Sequence, residues 1–274
     1  MEVPLLQLRA PWSERELVER LATRGTALVA LSGGVDSSLV AALARDALGS
    51  DCLAVTLEGA AVSHAEVERA RRVAEEIGIE HVVAPVDPLT RPEYRANPPD
   101  RCFFCRSVES AALLTIGRDR GVRQYLDGIH LDDLSDDRPG LKAMDAAGFD
   151  HPLARAQWTK ADVREAARAR RLPNWDQPSD ACLASRVAHG DPITAELLGR
   201  IETGEQWLHD RGFRQVRVRT RGTGARVEVE PAEVPRLRGE PMASEMREML
   251  RGLGFSPVTI DPDGYGASRD GRPA

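Results

Sequence analysis

A short apolar run, a turn with two glycines and an amphipathic segment follow one another within the first fifty residues. Residues 26–31 are TALVAL and residues 32–38 are SGGVDSS, after which Leu39, Val40 and Leu43 recur at helical spacing. This order predicts a buried strand, a tight turn and a helix. Because glycine lacks a side chain, the turn can bend sharply and approach a ligand closely.

The turn also has the chemistry of a phosphate site. Its last residues fall on the first turn of the predicted helix, where unpaired N–H groups and the positive end of the helix dipole attract anions. No Gly-Lys-Ser/Thr follows, so this is not the loop whose lysine reaches the β- and γ-phosphates of a nucleotide. We expect Asp36 to place Mg²⁺ or orient the loop, and the phosphates to contact Ser32, Gly33, Gly34, Asp36, Ser37 and Ser38.

Three further apolar runs, at 52–57, 81–86 and 124–127, alternate with helical segments and lack tight hairpin turns between them. This alternation predicts an α/β fold with a parallel sheet and helices on both faces. Ligands of such sheets bind outside the carboxyl ends of the strands. Thr56 and Gly128 lie at two of these ends and are predicted to contact the adenosine part of the nucleotide.

A domain boundary is predicted near residues 190–192, which read Gly-Asp-Pro. Residues 1–189 would form the nucleotide-binding domain, and residues 190–274 a small α+β domain for substrate binding or oligomerisation. In the second domain Arg214, Arg217 and Arg219 alternate with apolar residues. They form one face of a strand, which is either solvated or a phosphate-binding face.

The net charge of −6 argues against a nucleic-acid or membrane binder, since the protein has no overall positive field. The N-terminal segment lacks the layout of a signal peptide, and no apolar run approaches the length of a membrane span. We therefore expect a cytoplasmic protein. Only Lys142 and Lys160 among the 37 basic residues are lysines, a bias that we attribute to genome composition.

Four cysteines in a reducing compartment favour metal ligation or thiol chemistry over disulfides. Cys52 lies in an apolar strand and is most simply a buried hydrophobic residue. Cys102 and Cys105 form a Cys-x-x-Cys pair, which could be half a zinc site, a redox dithiol or a chance pair; neither a second such pair nor a spaced histidine pair completes a zinc site. With Cys182 added, three thiolates suit a [4Fe–4S] cluster that has one iron without a protein ligand.

Several motifs together resemble one family over nearly the whole chain. In order, they are SGGVDSS (32–38), NPPDRCFFC (97–105), GIHLDDLSDDRPGLKA (128–143), HPLARAQWTKADVR (151–164), WDQPSDACLASR (175–186), RVRTRGTGARVEV (217–229) and GFSPVTIDPDGY (254–265). The first motif resembles the PP-loop of ATP pyrophosphatases, and the full set resembles the LarE-type ATP-dependent sulfur transferases. The PP-loop is shared by many families, whereas PSDACLASR with RPGLKA is specific.

The resemblance implies an enzyme that helps to synthesise the nickel-pincer nucleotide. This nucleotide is the cofactor of lactate racemase and related enzymes. Its small-molecule nucleotide substrate would be pyridinium-3,5-biscarboxylic acid mononucleotide. ATP with Mg²⁺ would adenylate a substrate carboxylate with loss of pyrophosphate, and sulfur would then displace AMP. The physical logic is that a carboxylate is a poor electrophile, which an AMP leaving group makes open to attack by a sulfur nucleophile. A homo-oligomer is also expected.

Two sulfur sources occur among the proteins that this chain resembles. In one variety the cysteine at the position of Cys182 gives up its sulfur and becomes dehydroalanine. In the other, cysteines at the positions of Cys102, Cys105 and Cys182 hold a [4Fe–4S] cluster that delivers sulfide. Because this chain has all three cysteines, we predict the cluster variety.

Charged residues near these motifs are further candidates. Arg101 and Arg186 flank the predicted sulfur site and could neutralise phosphate charge. Glu205 is a candidate for binding metal or substrate, or is a solvated helix residue. The acidic turn with Asp132, Asp133, Asp136 and Asp137 either holds Mg²⁺-pyrophosphate or is solvated. Where the family carries an arginine near the C-terminus, this chain has Gly266, and Arg269 could reach the same ligand.

Three other functions fit parts of the pattern. A tRNA thiolase with a PP-loop would also use cysteines and ATP, but the acidic charge and the lack of a basic RNA module argue against it. An amide-forming synthetase would need an ammonia source, and no glutaminase-like segment is present. A non-enzymatic nucleotide-binding module would bind ATP without forming AMP.

Overall fold

The computed structural model describes residues 10–135, 139–178 and 180–266. The strands are β1 (Ala27–Ala30), β2 (Cys52–Glu58), β3 (Glu80–Pro85), β4 (Gln124–Leu126), β5 (Val216–Arg221), β6 (Gly224–Val229) and β7 (Val258–Ile260). The helices are α1 (Glu14–Ala22), α2 (Val35–Leu48), α3 (His64–Ile77), α4 (Pro92–Arg95), α5 (Arg101–Asp119), α6 (Pro139–Ala146), α7 (Pro152–Arg155), α8 (Lys160–Ala169), α9 (Ala195–His209), α10 (Val234–Arg238) and α11 (Met242–Gly252).

The described chain forms two compact units. The first contains residues 10–59, 64–86 and 102–178, and the second contains residues 60–63, 87–101 and 180–266. The predicted division into 1–189 and 190–274 stays a prediction about the domains as functional parts. Within the described residues, no helix is long and apolar enough to cross a membrane.

The first unit is built on a four-stranded sheet with the order β3-β2-β1-β4, in which every neighbouring pair is parallel. Ala27 of β1 pairs with Cys52 on one side and with Gln124 on the other. The three parallel connections each carry the chain back through helical segments, as the alternating sequence pattern predicts. The α/β fold class is therefore confirmed.

Apolar side chains of this sheet pack in two layers, as their alternation along a strand requires. Ala27 and Val29 belong to a core with α1, α2, α3 and α8, whereas Leu28 belongs to a core with α5 and α6. Helices therefore cover both faces of the sheet. Helix α2 is central to the larger core, with Leu39 and Leu43 fully buried.

The second unit has a three-stranded sheet in the order β5-β6-β7. Strands β5 and β6 are antiparallel and joined by a tight turn, in which Gly222 has a φ of +55° that favours glycine. Strand β7 runs parallel to β6. Helix α9 contributes Leu198, Ile201 and Leu208 to the buried interior, so the unit is the small α+β fold that the sequence predicts.

Some sequence predictions fall outside the part of the chain that the structure describes. They concern Asp136 and Asp137 of the acidic turn, and Arg269 near the C-terminus.

Candidate nucleotide and sulfur sites

The PP-loop joins the end of β1 to the start of α2, and its serine hydroxyls bind the loop's own backbone. Ser37 Oγ and Ser38 Oγ donate to the carbonyl oxygen of Gly34 at 3.1 and 2.8 Å, and Ser32 N donates to Ser37 Oγ at 3.1 Å. Ser37 and Ser38 are 5% and 0% exposed. These bonds hold the loop in shape, so contact of the two hydroxyls with phosphate stays a prediction.

The backbone of this loop is the part best suited to bind an anion. The first i→i−4 bond of α2 runs from Ser38 N to the oxygen of Gly34 at 3.1 Å. The N–H groups of residues 35–37 precede it and therefore belong to the set that a helix cannot satisfy internally. Gly34 is the N-cap of the helix, and it has no side chain that could accept a hydrogen bond from these N–H groups. Such an end attracts phosphate oxygens.

Two glycines are required by close backbone contacts in the first unit. Gly33 has a φ of +77°, and a Cβ on it would lie 2.9 Å from the carbonyl oxygen of Glu66 in α3. A Cβ on Gly128 would lie 2.6 Å from Ser37 N. The loop after β4 therefore packs directly on the first turn of α2, because β4 is the neighbour of β1 in the sheet. Whether Gly128 contacts adenosine stays a prediction.

Asn174 also holds the PP-loop, and the sequence reasoning missed it. Its Nδ2 donates to the oxygen of Gly33 at 2.8 Å and to Ser38 Oγ at 2.9 Å, and the residue is only 3% exposed. Asn174 lies in a stretch with neither helical nor strand periodicity, where sequence carries no signal for such a contact.

Asp36, predicted to place Mg²⁺, forms an ion pair with Lys160 at the start of α8. Nζ of Lys160 lies 2.6 Å from Oδ1 and 2.6 Å from Oδ2 of Asp36. The side chains are 26% and 25% exposed, so solvent reaches both. The sequence reasoning gave Lys160 no role, although it is one of two lysines among 37 basic residues.

The described part of the acidic turn has local partners. Asp132 Oδ2 accepts a hydrogen bond from the backbone N of Lys160 at 2.8 Å, and Asp133 Oδ2 accepts one from His130 N at 3.1 Å. These contacts fix the turn and the start of α8. A role of the turn in binding Mg²⁺-pyrophosphate stays a prediction.

Thr56 is buried near the end of β2 and uses its hydroxyl within the sheet. Thr56 Oγ1 donates to the oxygen of Leu31 at 2.7 Å and lies 2.8 Å from His81 Nε2. Because the single hydroxyl proton points to Leu31, His81 Nε2 must be the donor in the second bond. Burial lowers the pKa of His81, with a smaller effect of Arg71 in the same direction. The predicted contact of Thr56 with adenosine remains a prediction.

A histidine between two carboxylates lies next to the end of β4. His151 Nδ1 is 2.7 Å from Asp127 Oδ1, and His151 Nε2 is 2.9 Å from Asp145 Oδ1. Burial disfavours the charged ring, but the two carboxylates outweigh it and raise the pKa of His151. A carboxylate oxygen at each ring nitrogen favours the protonated form of the ring. The sequence reasoning missed this cluster, because its members come from three segments.

The Cys-x-x-Cys pair lies on the first two turns of α5. Cys102 is exposed, and the Cys105 thiol donates to Glu109 Oε1 at 3.3 Å. Glu109 also pairs with Arg106 at 2.8 Å. By contrast Cys52 is buried in β2, where burial raises the pKa of its thiol to about 11. The prediction that Cys52 is a buried structural residue agrees with this position.

Cys182 lies in the second unit, just before a short 3₁₀ turn, and Arg186 organises the segment that carries it. Arg186 donates to the carbonyl oxygens of Ala181 and of Cys182, the latter at 3.1 Å. It also makes two parallel bonds of 2.9 Å to Glu205 of α9. Burial lowers the pKa of Arg186, but the hydrogen bond to Glu205 and the charges of Glu205, Asp180 and Cys182 outweigh that effect and raise the pKa above its ordinary value.

Glu205 and Arg217 are buried, and neither belongs to a solvated face. Glu205 is 5% exposed, and its Oε1 also accepts a hydrogen bond from Val218 N at 2.8 Å. Arg217 is 4% exposed and lies 3.0 Å from Asp180. The solvated alternatives for these two residues are therefore wrong, because both side chains are buried and each has a partner of opposite charge. Binding of substrate by Arg186 or Glu205 stays a prediction.

Arg101 is likewise held by protein groups of the second unit. Its Nη1 donates to Asn97 Oδ1 at 3.0 Å and to a ring nitrogen of His189 at 2.9 Å. Asn97 in turn donates to the oxygens of Ala188 and Asp191. This network ties the NPP segment to residues 188–191. Neutralisation of phosphate by Arg101 stays a prediction.

The three candidate cysteines are divided between the units, with Cys102 and Cys105 in the first and Cys182 in the second. Across the described residues, no three His, Cys, Asp or Glu side chains are grouped so that they could hold a metal ion.

A parallel sheet whose first strand leads through SGGVDSS into a helix defines the class of PP-loop adenine-nucleotide enzymes. The NAD synthase family model matches residues 13–100. The chain is 37% identical to an uncharacterized protein of Synechocystis sp. over 90% of this chain and 92% of that one. It is 32% identical to the pyridinium-3,5-bisthiocarboxylic acid mononucleotide synthase of Lactiplantibacillus plantarum, over 88% of this chain and 87% of that one.

A second named relative is similar over a shorter part of the chain. The tRNA-specific 2-thiouridylase MnmA of Brucella ovis is 36% identical over 38% of this chain and 31% of its own. With the similarity over most of the chain to the bisthiocarboxylate synthase, these relatives identify the family. The chain belongs to the LarE-type ATP-dependent sulfur transferases.

Proposed function

We propose that this enzyme converts pyridinium-3,5-biscarboxylic acid mononucleotide to the bisthiocarboxylic acid mononucleotide, for nickel-pincer nucleotide synthesis. The observation that carries the proposal is the similarity over 88% of the chain to the synthase of that product. It is supported by a PP-loop whose backbone is fixed by hydrogen bonds from Ser38 and Asn174. Two rounds of ATP use would replace one oxygen in each of the two carboxylates.

In each round a carboxylate oxygen of the substrate attacks the α-phosphorus of ATP, and pyrophosphate leaves with the electron pair of the broken bond. The N–H groups at the start of α2 would stabilise the phosphate charge that shifts in this step. A sulfur nucleophile then adds to the acyl carbon, and AMP departs with its oxygen. The thiocarboxylate forms because AMP is a far better leaving group than oxide.

For the adenylation site, we propose the predicted roles of the PP-loop. Asp36 would coordinate Mg²⁺, and residues 32–34 with Ser37 and Ser38 would surround the phosphates. Gly128 and Thr56 would border the adenosine. Supporting this, a Cβ on Gly128 would lie within 3.0 Å of Asp36 as well as of Ser37, so the two strand ends meet.

For the sulfur source, we propose a [4Fe–4S] cluster on Cys102, Cys105 and Cys182. The chemistry of the donor set supports it, since three thiols are the ligands of a cluster with one open iron. The described conformation does not group three such ligands. When bound, the cluster would supply sulfide. Arg101, Arg186 and Glu205 would shape the surroundings of the cysteines and bind substrate phosphate.

The function is tested by incubating anaerobically purified protein with substrate, MgATP and a sulfide source. We expect AMP, pyrophosphate and a product whose mass reports two oxygen-to-sulfur exchanges. AMP formation with tRNA instead of the mononucleotide would replace this function by the tRNA thiolase that the similarity to MnmA suggests. ATP binding without AMP in either case would leave only a nucleotide-binding module.

The sulfur source is tested on the same preparation by iron and acid-labile sulfide analysis. We expect iron that is lost when Cys102, Cys105 or Cys182 is changed to Ala. Iron-free protein that thiolates once, with Cys182 converted to dehydroalanine, would establish the sacrificial route instead. The expected homo-oligomer and the cytoplasmic location stay predictions, the first of which size-exclusion chromatography tests.

A further inference from the structure

His151 is a buried titratable residue that has no part in the reaction proposed above. It precedes α7, and its ring nitrogens lie 2.7 Å from Asp127 Oδ1 and 2.9 Å from Asp145 Oδ1. The side chains of His151 and Asp127 are 12% and 9% exposed, whereas that of Asp145 is 61% exposed. Because water screens an exposed ion pair, the contact with Asp127 is the stronger of the two.

Asp127 shapes the loop that packs on the PP-loop. The oxygen that contacts His151, Oδ1, also accepts a hydrogen bond from Ile129 N at 3.1 Å and so closes a turn around Gly128. A Cβ on Gly128 would lie 2.6 Å from Ser37 N, so this turn touches the first turn of α2. One carboxylate oxygen therefore links His151 to the backbone that presses on the PP-loop.

Asp127 depends on His151 for its charge balance. Its second oxygen, Oδ2, is buried and has no hydrogen-bond partner among the described residues. The two guanidinium groups of this region, those of Arg24 and Arg155, are paired with Asp150. A neutral ring carries one N–H and would keep only one of its two hydrogen bonds. The buried carboxylate would then lack a paired cation, which is costly.

The charges of this region balance only when the ring is protonated. Beside the ring, they belong to three carboxylates and two guanidinium groups, those of Asp127, Asp145, Asp150, Arg24 and Arg155. Burial disfavours the charged ring, but Asp127 and Asp145 outweigh that effect and raise the pKa of His151. The charged ring is therefore kept to a higher pH than that of an ordinary histidine, and it is lost as pH rises through the raised pKa.

We propose that His151 is a positioning residue of the nucleotide site, which in its charged form holds Asp127, and with it the loop of Gly128, against the first turn of α2. This inference rests on the proposed function, in which that loop borders the adenosine. A loop that shifts against Ser37 would alter the N–H groups that are to bind phosphate. The effect is on binding of the nucleotide in the ground state and the transition state alike, so it changes the KM for ATP and leaves kcat unchanged.

The coupling between the ring proton and the nucleotide can be measured by NMR. The protein has six histidines, and His151→Gln assigns the signal of His151. If the charged ring favours nucleotide binding, the bound nucleotide must favour the charged ring by the same factor. We expect the titration midpoint of His151 to rise by about one pH unit when the protein is saturated with Mg²⁺ and α,β-methylene-ATP, which corresponds to about tenfold tighter binding by the charged form.

An anionic nucleotide also attracts a charged ring directly, and Asp127→Asn separates this attraction from the proposed link. Asparagine keeps an oxygen for Ile129 N but removes the charge that holds the ring. We expect the rise of the midpoint to disappear in this variant; a rise that persists would overturn the link through Asp127. Calorimetry on the same samples reports binding. Bound nucleotide with an unmoved midpoint in wild type would overturn the inference and leave the proposed function intact, whereas absence of binding would overturn both.

Kinetics separates positioning from a purely structural role. Below the folded pKa, we expect His151→Gln to raise the KM for ATP in AMP formation about tenfold, the lower end of what loss of a charged hydrogen bond costs, with kcat unchanged. His151→Arg, which keeps its charge, should retain a low KM at a pH where that of wild type has risen. His209→Gln is the matched control, since it removes an exposed histidine of α9. A His151→Gln protein that melts earlier but keeps the wild-type KM for ATP would show a structural ion pair instead.

Discussion

The buried ion pair of Arg186 and Glu205 should contribute strongly to the stability of the second unit. The sequence suggested that both residues bind a ligand, whereas the structure shows them bound to each other. Their side chains are 3% and 7% exposed, and two bonds of 2.9 Å join them. Removing one partner leaves an uncompensated buried charge. We therefore expect Arg186→Met to lower the free energy of unfolding by about 3–5 kcal/mol, out of a typical total of about 5–15 kcal/mol.

The loss corresponds to a fall in Tm of about 6–20 °C for a chain of this size. Calorimetry or thermal denaturation followed by circular dichroism measures it. Arg91→Met is the matched control in the same unit, because the pair of Arg91 with Glu93 is 52% and 46% exposed. Such exposed pairs contribute about 0–1 kcal/mol.

The double variant Arg186→Met with Glu205→Gln separates charge from packing. It removes the charge that the single variant leaves unpaired, and glutamine keeps an acceptor for Val218 N. We expect it to be more stable than Arg186→Met alone, with a coupling energy of about 1–3 kcal/mol. If Arg186→Met matches the Arg91 control in stability but loses affinity for substrate, the structural argument is refuted and Arg186 is a ligand-binding residue.

Arg186 also holds the carbonyl oxygens around Cys182, so its loss has a functional consequence. Below the Tm of the variant and at saturating substrate, we expect Arg186→Met to retain pyrophosphate release and to lose sulfur transfer. Parallel loss of both activities would contradict a role confined to the cysteine segment.

The remaining predictions concern the first unit. Gly128→Ala would place a Cβ 2.6 Å from Ser37 N, a backbone atom that cannot give way, so we expect a loss of about 1–3 kcal/mol and weaker ATP binding by calorimetry. Asn174→Ala removes the donor to the oxygen of Gly33, and we expect a loss of about 1–3 kcal/mol in urea unfolding, whereas an unchanged midpoint would contradict it. The folded pKa of His151 is raised above its ordinary 6.5, so its stabilisation is complete below that pH and is lost as pH rises through the folded pKa. Urea titrations across this range should show that decline in wild type and not in His151→Gln.

Local sequence patterns were enough to predict the architecture of the first unit and the place of its loop. Strands alternate with helices at a spacing that requires parallel crossovers, and two glycines after an apolar strand are needed wherever backbone approaches backbone. Gly33 illustrates this. Its φ is +77°, and a Cβ on it would lie only 2.9 Å from the carbonyl oxygen of Glu66, so no other residue fits at this position. The alternation of elements and the glycine turn are patterns of neighbours along the chain, which is why the sequence alone revealed them, whereas the contact of Gly33 with Glu66 is made only in the folded chain.

The partners of the charged side chains were decided only by the tertiary structure. Lys160 is 124 residues from Asp36, and Asn174 is 141 residues from Gly33. Arg186 was expected at a phosphate and is bound to the carboxylate of Glu205. Arginine binds phosphate and carboxylate groups with the same two-point geometry, so the presence of an arginine in a sequence does not predict which of the two it contacts. Which groups meet depends on how helices pack across the sheet, and that packing is a property of the whole fold rather than of any local segment.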